Sequence, residues 1–257
     1  MRSGQWLVVA LVAVAGTAPA RAVTPNAGPS ARAIDPKADA VMKRMSGYLS
    51  GLKSFTFHTQ SFEEAVTTEG QKVDFPAAQR VAVERPNKLR SDRIDRDSDT
   101  VFRYDGSKFS LYGKRTGYYA VAPAPGRLDE AIDAAKAHFN IDAPASDLLA
   151  SDPYAALMSD VDSGRYIGLE TVDGVPCHHL AFRNADVDWQ LWVQDGPRPL
   201  PRRYVITSKK VAGEPSFTLN ISDWKPQASL SEGLFAFQPP PGAKQVDLQP
   251  APPVPLD

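Results

Sequence analysis

The stretch VPCHHLAFRNADVDWQLWVQDGPRPLPRRYVITSK, residues 175–209, decides how this chain folds. It holds three runs in which apolar and polar side chains alternate, separated by Asn184-Ala185-Asp186 and by a turn beginning Asp195-Gly196. Alternation at period two describes strands with two unlike faces, and short polar connections make them antiparallel neighbours. In VDWQLWVQ, Val187, Trp189, Leu191 and Val193 face one way, while Asp188, Gln190 and Trp192 face the other. The preceding run puts His178, Leu180 and Phe182 on one face, and the following run adds Tyr204 and Ile206. An apolar wall continuing over several strands is expected.

The same stretch carries the single cysteine and two of the four histidines, in the order Cys177-His178-His179. Strand neighbours point to opposite faces, so only Cys177 and His179 share a side. That gives two ligands where a structural zinc takes four and a catalytic one usually three. His58 and His138 fall in a strand and a helix, and neither has a ligand-spaced partner. As a nucleophile, Cys177 would need a positioned base and a stabilised thiolate. In mid-strand, away from any helix N-terminus, it reads as a small buried hydrophobe. Nucleophile-elbow, zinc-protease, phosphate-loop and dinucleotide motifs do not occur. The charged run DRIDRDSD (92–99) alternates in sign and reads as a solvated strand and turn. No catalytic residue, metal or cofactor is assigned.

Working outward, SFTFHTQSF (54–62), TGYYAVAP (116–123), RYIGLETV (165–172), SFTLNISDW (216–224) and LFAFQPP (234–240) also read as strands. VFRYDGSKFSLYG (101–113) reads as a hairpin about Asp105-Gly106. A helix starts at Asp35-Pro36, with Val41, Met42, Met45, Tyr48, Leu49 and Leu52 on one stripe. Between about 127 and 160 the period becomes helical again: Leu128, Ile132, Ala135 and Phe139, then Asp152-Pro153 leading into Tyr154, Leu157 and Met158. The order is helix, about six strands, helices, about six strands. So many sequential strands curl into a barrel or half-barrel, and the helices bury their stripes against it.

The first residues, MRSGQWLVVALVAVAGTAPARA, combine Arg2, an apolar run from Trp6 to about Ala18, and Ala20-Arg21-Ala22. The run is too short to span a bilayer and reads as a secretory signal peptide, residues 1–22, cleaved after Ala22. Nothing later approaches the roughly 18 apolar residues of a membrane span. A soluble periplasmic protein is expected, with a linker at 23–34, a domain at 35–248 and a Pro-rich disordered tail at 249–257. Of 29 basic residues, removing Arg2 and Arg21 leaves 27 against 30 acidic ones, a net charge of −3. Without a basic stripe, nucleic acid is excluded as a partner. One cysteine makes no internal disulfide, so the fold rests on its core, and a chain that is 42% hydrophobic supplies one.

Gly174, Val175, Cys177, His179, Leu180, Asp188, Trp189, Gln190, Trp192, Leu200 and Pro201 resemble the pattern of a family of predicted periplasmic bacterial proteins with no assigned function. LSEGLFAFQPPPGAKQVDL (230–248), through Phe235, Phe237, Pro240 and Gly242, resembles the closing strand of the wider LolA/LolB-like superfamily. The resemblance covers about residues 35–248. It implies a mainly β (α+β) fold: a curved antiparallel sheet forming an unclosed half-barrel, with N-terminal and central helices on its concave face. It also implies a scaffold that holds acyl chains of lipoproteins or other lipids, and it brings no catalytic residues.

The expected ligand-binding surface comprises Met42, Met45, Phe55, Phe57, Met158, Leu180, Phe182, Trp189, Leu191, Tyr204 and Ile206. Met on the plugging helices suits a surface that repacks around its contents. Arg198, Arg202 and Arg203 are candidate contacts for a phosphate or carboxylate head group. The rival reading is a partner-binding or sensory module in envelope signalling, which presents a surface to a protein and carries no lipid.

Overall fold

Asp35 caps the first helix by accepting hydrogen bonds from the Lys37 and Ala38 N–H groups, and Pro36 occupies the first turn, where its missing N–H costs nothing. The computed structural model describes residues 33–124, 126–139 and 144–247, with the backbone alone at 136–139. The expected signal peptide, residues 23–32 of the linker, and the tail lie outside the described residues. Residues 33–34, read as the end of the linker, form a short strand.

The elements run β1 (Ala33–Ile34), α1 (Pro36–Gly51), β2 (Ser54–Val66), β3 (Lys72–Glu84), β4 (Lys88–Asp95), β5 (Asp99–Tyr104), β6 (Lys108–Gly113) and β7 (Tyr118–Pro123). Then come α2 (Leu128–Phe139), a 3-10 turn (Ser146–Leu149) and α3 (Pro153–Met158). They lead into β8 (Ser163–Val172), β9 (Val175–Arg183), β10 (Val187–Gln194), β11 (Pro201–Ser208), β12 (Ser216–Pro226) and β13 (Lys244–Gln245). The thirteen strands of the described residues form one curved sheet in the order β1-β8-β9-β10-β11-β12-β2-β3-β4-β5-β6-β7-β13. Two antiparallel meanders, β2–β7 and β8–β12, are joined where β12 pairs with β2. The edges β8 and β7 carry the short parallel strands β1 and β13 and do not pair with each other, so the sheet stays open.

Turn chemistry fixes the registers. Asp173 and Gly174 both take positive φ between β8 and β9, as a two-residue hairpin requires. Asp105 Oδ1 accepts from the N–H groups of Ser107 and Lys108, with Gly106 at positive φ. Pro76 sits inside β3, yet β4 begins to pair only at Ala77, so the proline lies where β3 has a single neighbour.

The core lies on the concave face. Ala38, Met42, Met45 and Leu49 of α1 are fully buried with Leu180, Leu191 and Val193 of the sheet. Each of the larger side chains contributes about 1.5–3 kcal/mol of transfer free energy. On the convex face, the expected closing strand LFAFQPP is not a strand. Residues 232–234 make a 3-10 turn, and Pro239, Pro240 and Pro241 remove three consecutive N–H donors. The segment lies across the sheet instead, burying Phe235 and setting Phe237 against Tyr119 at 5.3 Å and Tyr112 at 6.3 Å.

Candidate functional site

A cavity of about 390 Å³ lies between the concave face of β2–β6 and β12 and a cover made by α2 and residues 144–149. The size of the helix side chains decides where it forms. α1 presses Met42, Met45 and Leu49 into the sheet, whereas α2 offers Leu128, Ala131, Ile132 and Ala135. The alanines are too short to fill the space down to the strands.

Strand register sorts the wall into ranks. Leu89, Tyr104 and Phe109 stand opposite one another on β4, β5 and β6. The next rank is Phe57, Val81, Ser91, Phe102 and Leu111, and the third is Thr59, Gln79, Arg93 and Thr100. The wall therefore passes from apolar to polar along the strands, while β12 keeps one flank apolar with Phe217, Leu219 and Ile221. A bulge between Ser222 and Lys225, with Asp223 at positive φ, sets Trp224 against Phe57 at 4.5 Å.

In the polar rank, Thr59 Oγ1 donates to Gln79 Oε1 at 3.4 Å. Arg93 Nε donates to Asp95 Oδ2 at 3.1 Å, and the arginine side chain is 37% exposed. Asp95 also accepts from the Asp97 N–H at 2.9 Å, the Ser98 N–H at 2.7 Å and the Ser98 hydroxyl at 2.8 Å. Burial alone would raise its carboxyl. The hydrogen bonds from Ser98, Arg93 and Asp97 outweigh that and hold it at about 2.

Of the residues expected to bind ligand, Phe57 borders the cavity. Met42, Met45, Phe55, Met158, Leu180, Phe182, Trp189, Leu191 and Tyr204 are buried in the core, and Ile206 packs on it half-buried. They are brought together: Phe182 stacks on Trp189 at 4.2 Å, Trp189 meets Tyr204 edge-on at 5.7 Å, and Leu180 pairs with Leu191. Arg198 is exposed in the β10–β11 connection, and Arg203 lies 5.3 Å over the Trp192 ring on the convex face. Arg202 is half-buried, its Nε without a hydrogen-bond partner among the described residues. None of the three arginines borders the cavity.

Apart from Phe57, the lining residues were not singled out from the sequence; they include Leu89, Tyr104 and Phe109 at the apolar end and Arg93, Gln79 and Thr59 in the polar rank. For Arg93 the expectation is inverted: within DRIDRDSD the apolar Ile94 is 49% exposed outside while Arg93 faces in, and the alternating charges of the run gave no sign of it.

The Cys-His-His triplet divides between the two faces. On the concave side, His178 Nδ1 lies 3.1 Å from the Tyr166 hydroxyl, and its Nε2 lies 3.0 Å from Asp195 Oδ1 and 3.3 Å from Arg44 on α1. On the convex side, His179 stacks on Trp192 at 4.0 Å, with Glu170 and Gln190 at its two nitrogens. Cys177 is buried, and burial pushes its thiol up, so the sulfur is held protonated. Among the described residues no group of three or more His, Cys, Asp or Glu is placed to hold a metal ion.

The model of the family described as "Predicted periplasmic protein (DUF2092)" matches residues 38–249. This chain belongs to that family. The motif from Gly174 to Pro201 thus pointed to the right group of proteins. No curated protein matches the sequence of this DUF2092 member. Among solved structures, an uncharacterised conserved protein from Thermus thermophilus is 15% identical over 82% of this chain and 99% of its own, with a TM-score of 0.51, and shares the fold. Looser likenesses are the lipoprotein LppX of Mycobacterium tuberculosis, 15% identical over 74% of this chain and 96% of its own at a TM-score of 0.41, and a LolA superfamily protein from Nitrosomonas europaea, 12% identical over 78% and 97% at 0.40. Among the described residues of this DUF2092 chain, no helix is long and apolar enough to cross a membrane.

Proposed function

We propose that this protein is exported to the periplasm, with cleavage after Ala22, and that it binds a lipid or a lipoprotein acyl chain between its curved sheet and α2. The observation that supports this reading is the cavity. Its 390 Å³ falls within the size range of small-molecule sites, about 300–1,000 Å³. Its walls are mostly aliphatic and aromatic, and a packed core on the other half of the sheet holds them in place. An apolar space of this size between well-packed elements forgoes dispersion contacts that a ligand would restore. The packed residues Met42, Met45 and Leu180 support the wall, and Phe57 with its Trp224 neighbour contacts the ligand.

A fluorescent lipophilic probe tests the reading. The delipidated protein should bind it with saturable, one-to-one stoichiometry, and an Ala131→Phe variant, which fills the cavity, should not. Equal binding by both proteins would place the probe elsewhere and remove the support for a ligand cavity. N-terminal sequencing of the periplasmic protein should begin at Val23.

A second reading rests on the edge strand β8. Beyond Gly164 its backbone edge has no strand partner among the described residues, and Ile167 and Leu169 beside it are 50% and 58% exposed. An extended segment of an envelope protein could add a strand there. Cross-linking from position 169 in periplasmic extracts should then capture one defined protein, and a capture pattern that an added Ile167→Glu change leaves unchanged would dismiss this reading.

A further inference from the structure

The cavity wall is not uniformly apolar, and its one cation among the described residues is placed where the polar rank begins. Arg93 is the only Lys or Arg among those lining residues. Its Nε is held by Asp95, whose two oxygens are otherwise taken up by Ser98 and the Asp97 N–H. That arrangement fixes the guanidinium by its Nε, and its two terminal nitrogens have no hydrogen-bond partner among the described residues. A guanidinium fork matches the two oxygens of a carboxylate or phosphate. The one acid among the described lining residues, Glu63, stands four residues beyond Thr59 on β2, about 13 Å along the strand. Thr59, Gln79 and Thr100 lie in the same rank as Arg93 and supply neutral hydrogen-bonding groups beside it. Two ranks further in, Leu89, Tyr104 and Phe109 offer ring and aliphatic surface beside α2.

Resting on the acyl-chain reading above, we propose that the ligand is a single-chain amphiphile with an anionic head, a carboxylate or a phosphate. The head seats on Arg93 and the tail runs toward Leu89 and Phe109. The size agrees with one chain. An apolar cavity of about 150 Å³ accepts one benzene, six carbons, so about 390 Å³ accepts roughly sixteen. Asp95 acts as a positioning residue, and Arg93 is the residue that touches the ligand.

Isothermal titration of the delipidated full chain with palmitate, hexadecyl phosphate and hexadecanol tests this, since the three probes share a tail and differ in the head. The wild type should bind at least one of the two anions ten-fold or more tighter than the alcohol, and which anion is tighter tells a fatty acid from a phosphate head. Arg93→Gln should erase the preference by weakening the anions to the level of hexadecanol, with a circular dichroism spectrum and unfolding midpoint matching wild type to show that the variant is folded. Arg93→Lys should keep part of it. Equal affinity for all three probes, or a preference that survives Arg93→Gln, would overturn the head-group assignment and leave the cavity reading standing. Failure of all three probes to bind would overturn both.

Discussion

Asp95 concentrates more hydrogen bonds than its place in a surface turn suggests, and its effect on stability has a definite pH window. Its folded value of about 2 lies below the ordinary aspartate value of about 3.9. Between those values the unfolded chain binds more protons, so stability rises with pH, and it is fully present above about pH 4. Asp95→Asn should therefore cost about 1–2 kcal/mol at neutral pH. Denaturant titrations across pH 2–7 should show the gap to wild type closing as pH falls through 2. A gap of constant size would mean that the carboxylate charge is not what stabilises the turn. Cys177 gives the opposite kind of prediction. Its thiol is buried and pushed up, so a thiol reagent at pH 8 should label it only as fast as the protein unfolds. Rapid stoichiometric labelling of the native protein would contradict the placement. At this scale the division of Cys177, His178 and His179 between faces was legible, because period-two geometry leaves no freedom. Arg93 was not, because a charged strand residue ordinarily faces water, and only the bend of the sheet makes the inner face of β4 a rim.

Two helices with similar amphipathic stripes end up with different jobs. Both α1 and α2 were readable from apolar spacing and from the Asp-Pro start of α1, but spacing does not tell packing from cavity. Side-chain volume does. Ala131→Phe on α2 should leave the midpoint of unfolding within about 1 kcal/mol of wild type while abolishing probe binding, because the new ring enters existing space. Leu180→Ala on β9 should cost about 2–5 kcal/mol, because it opens a hole where packing is complete. A cost of that size from Ala131→Phe would show that α2 already packs tightly. The misreading of LFAFQPP has the same origin. Its alternating phenylalanines satisfy strand periodicity, but they bury against the convex face singly, and the prolines that follow cannot join a ladder.

Over the described residues, the domain is an open sheet whose concave face is filled at one half and hollow at the other. The mainly β class, the curling, the central helices and the family were legible, since they follow from the number and order of strands and from one specific motif. The position of the cavity was not. It depends on β12 pairing with β2, a contact between the last long strand and the first that no local pattern announces. That pairing places Trp224 beside Phe57 and makes one continuous wall from two halves of the chain. The proposed lipid binding requires that wall to enclose a ligand in the cell. The most direct measurement is native mass spectrometry of the protein purified from a periplasm without detergent, followed by organic extraction. The expected result is a population carrying one single-chain lipid per protein, with the adduct lost in Ala131→Phe. A protein that emerges at its bare polypeptide mass, with an extract free of lipid and no uptake from added single-chain amphiphiles, would contradict it.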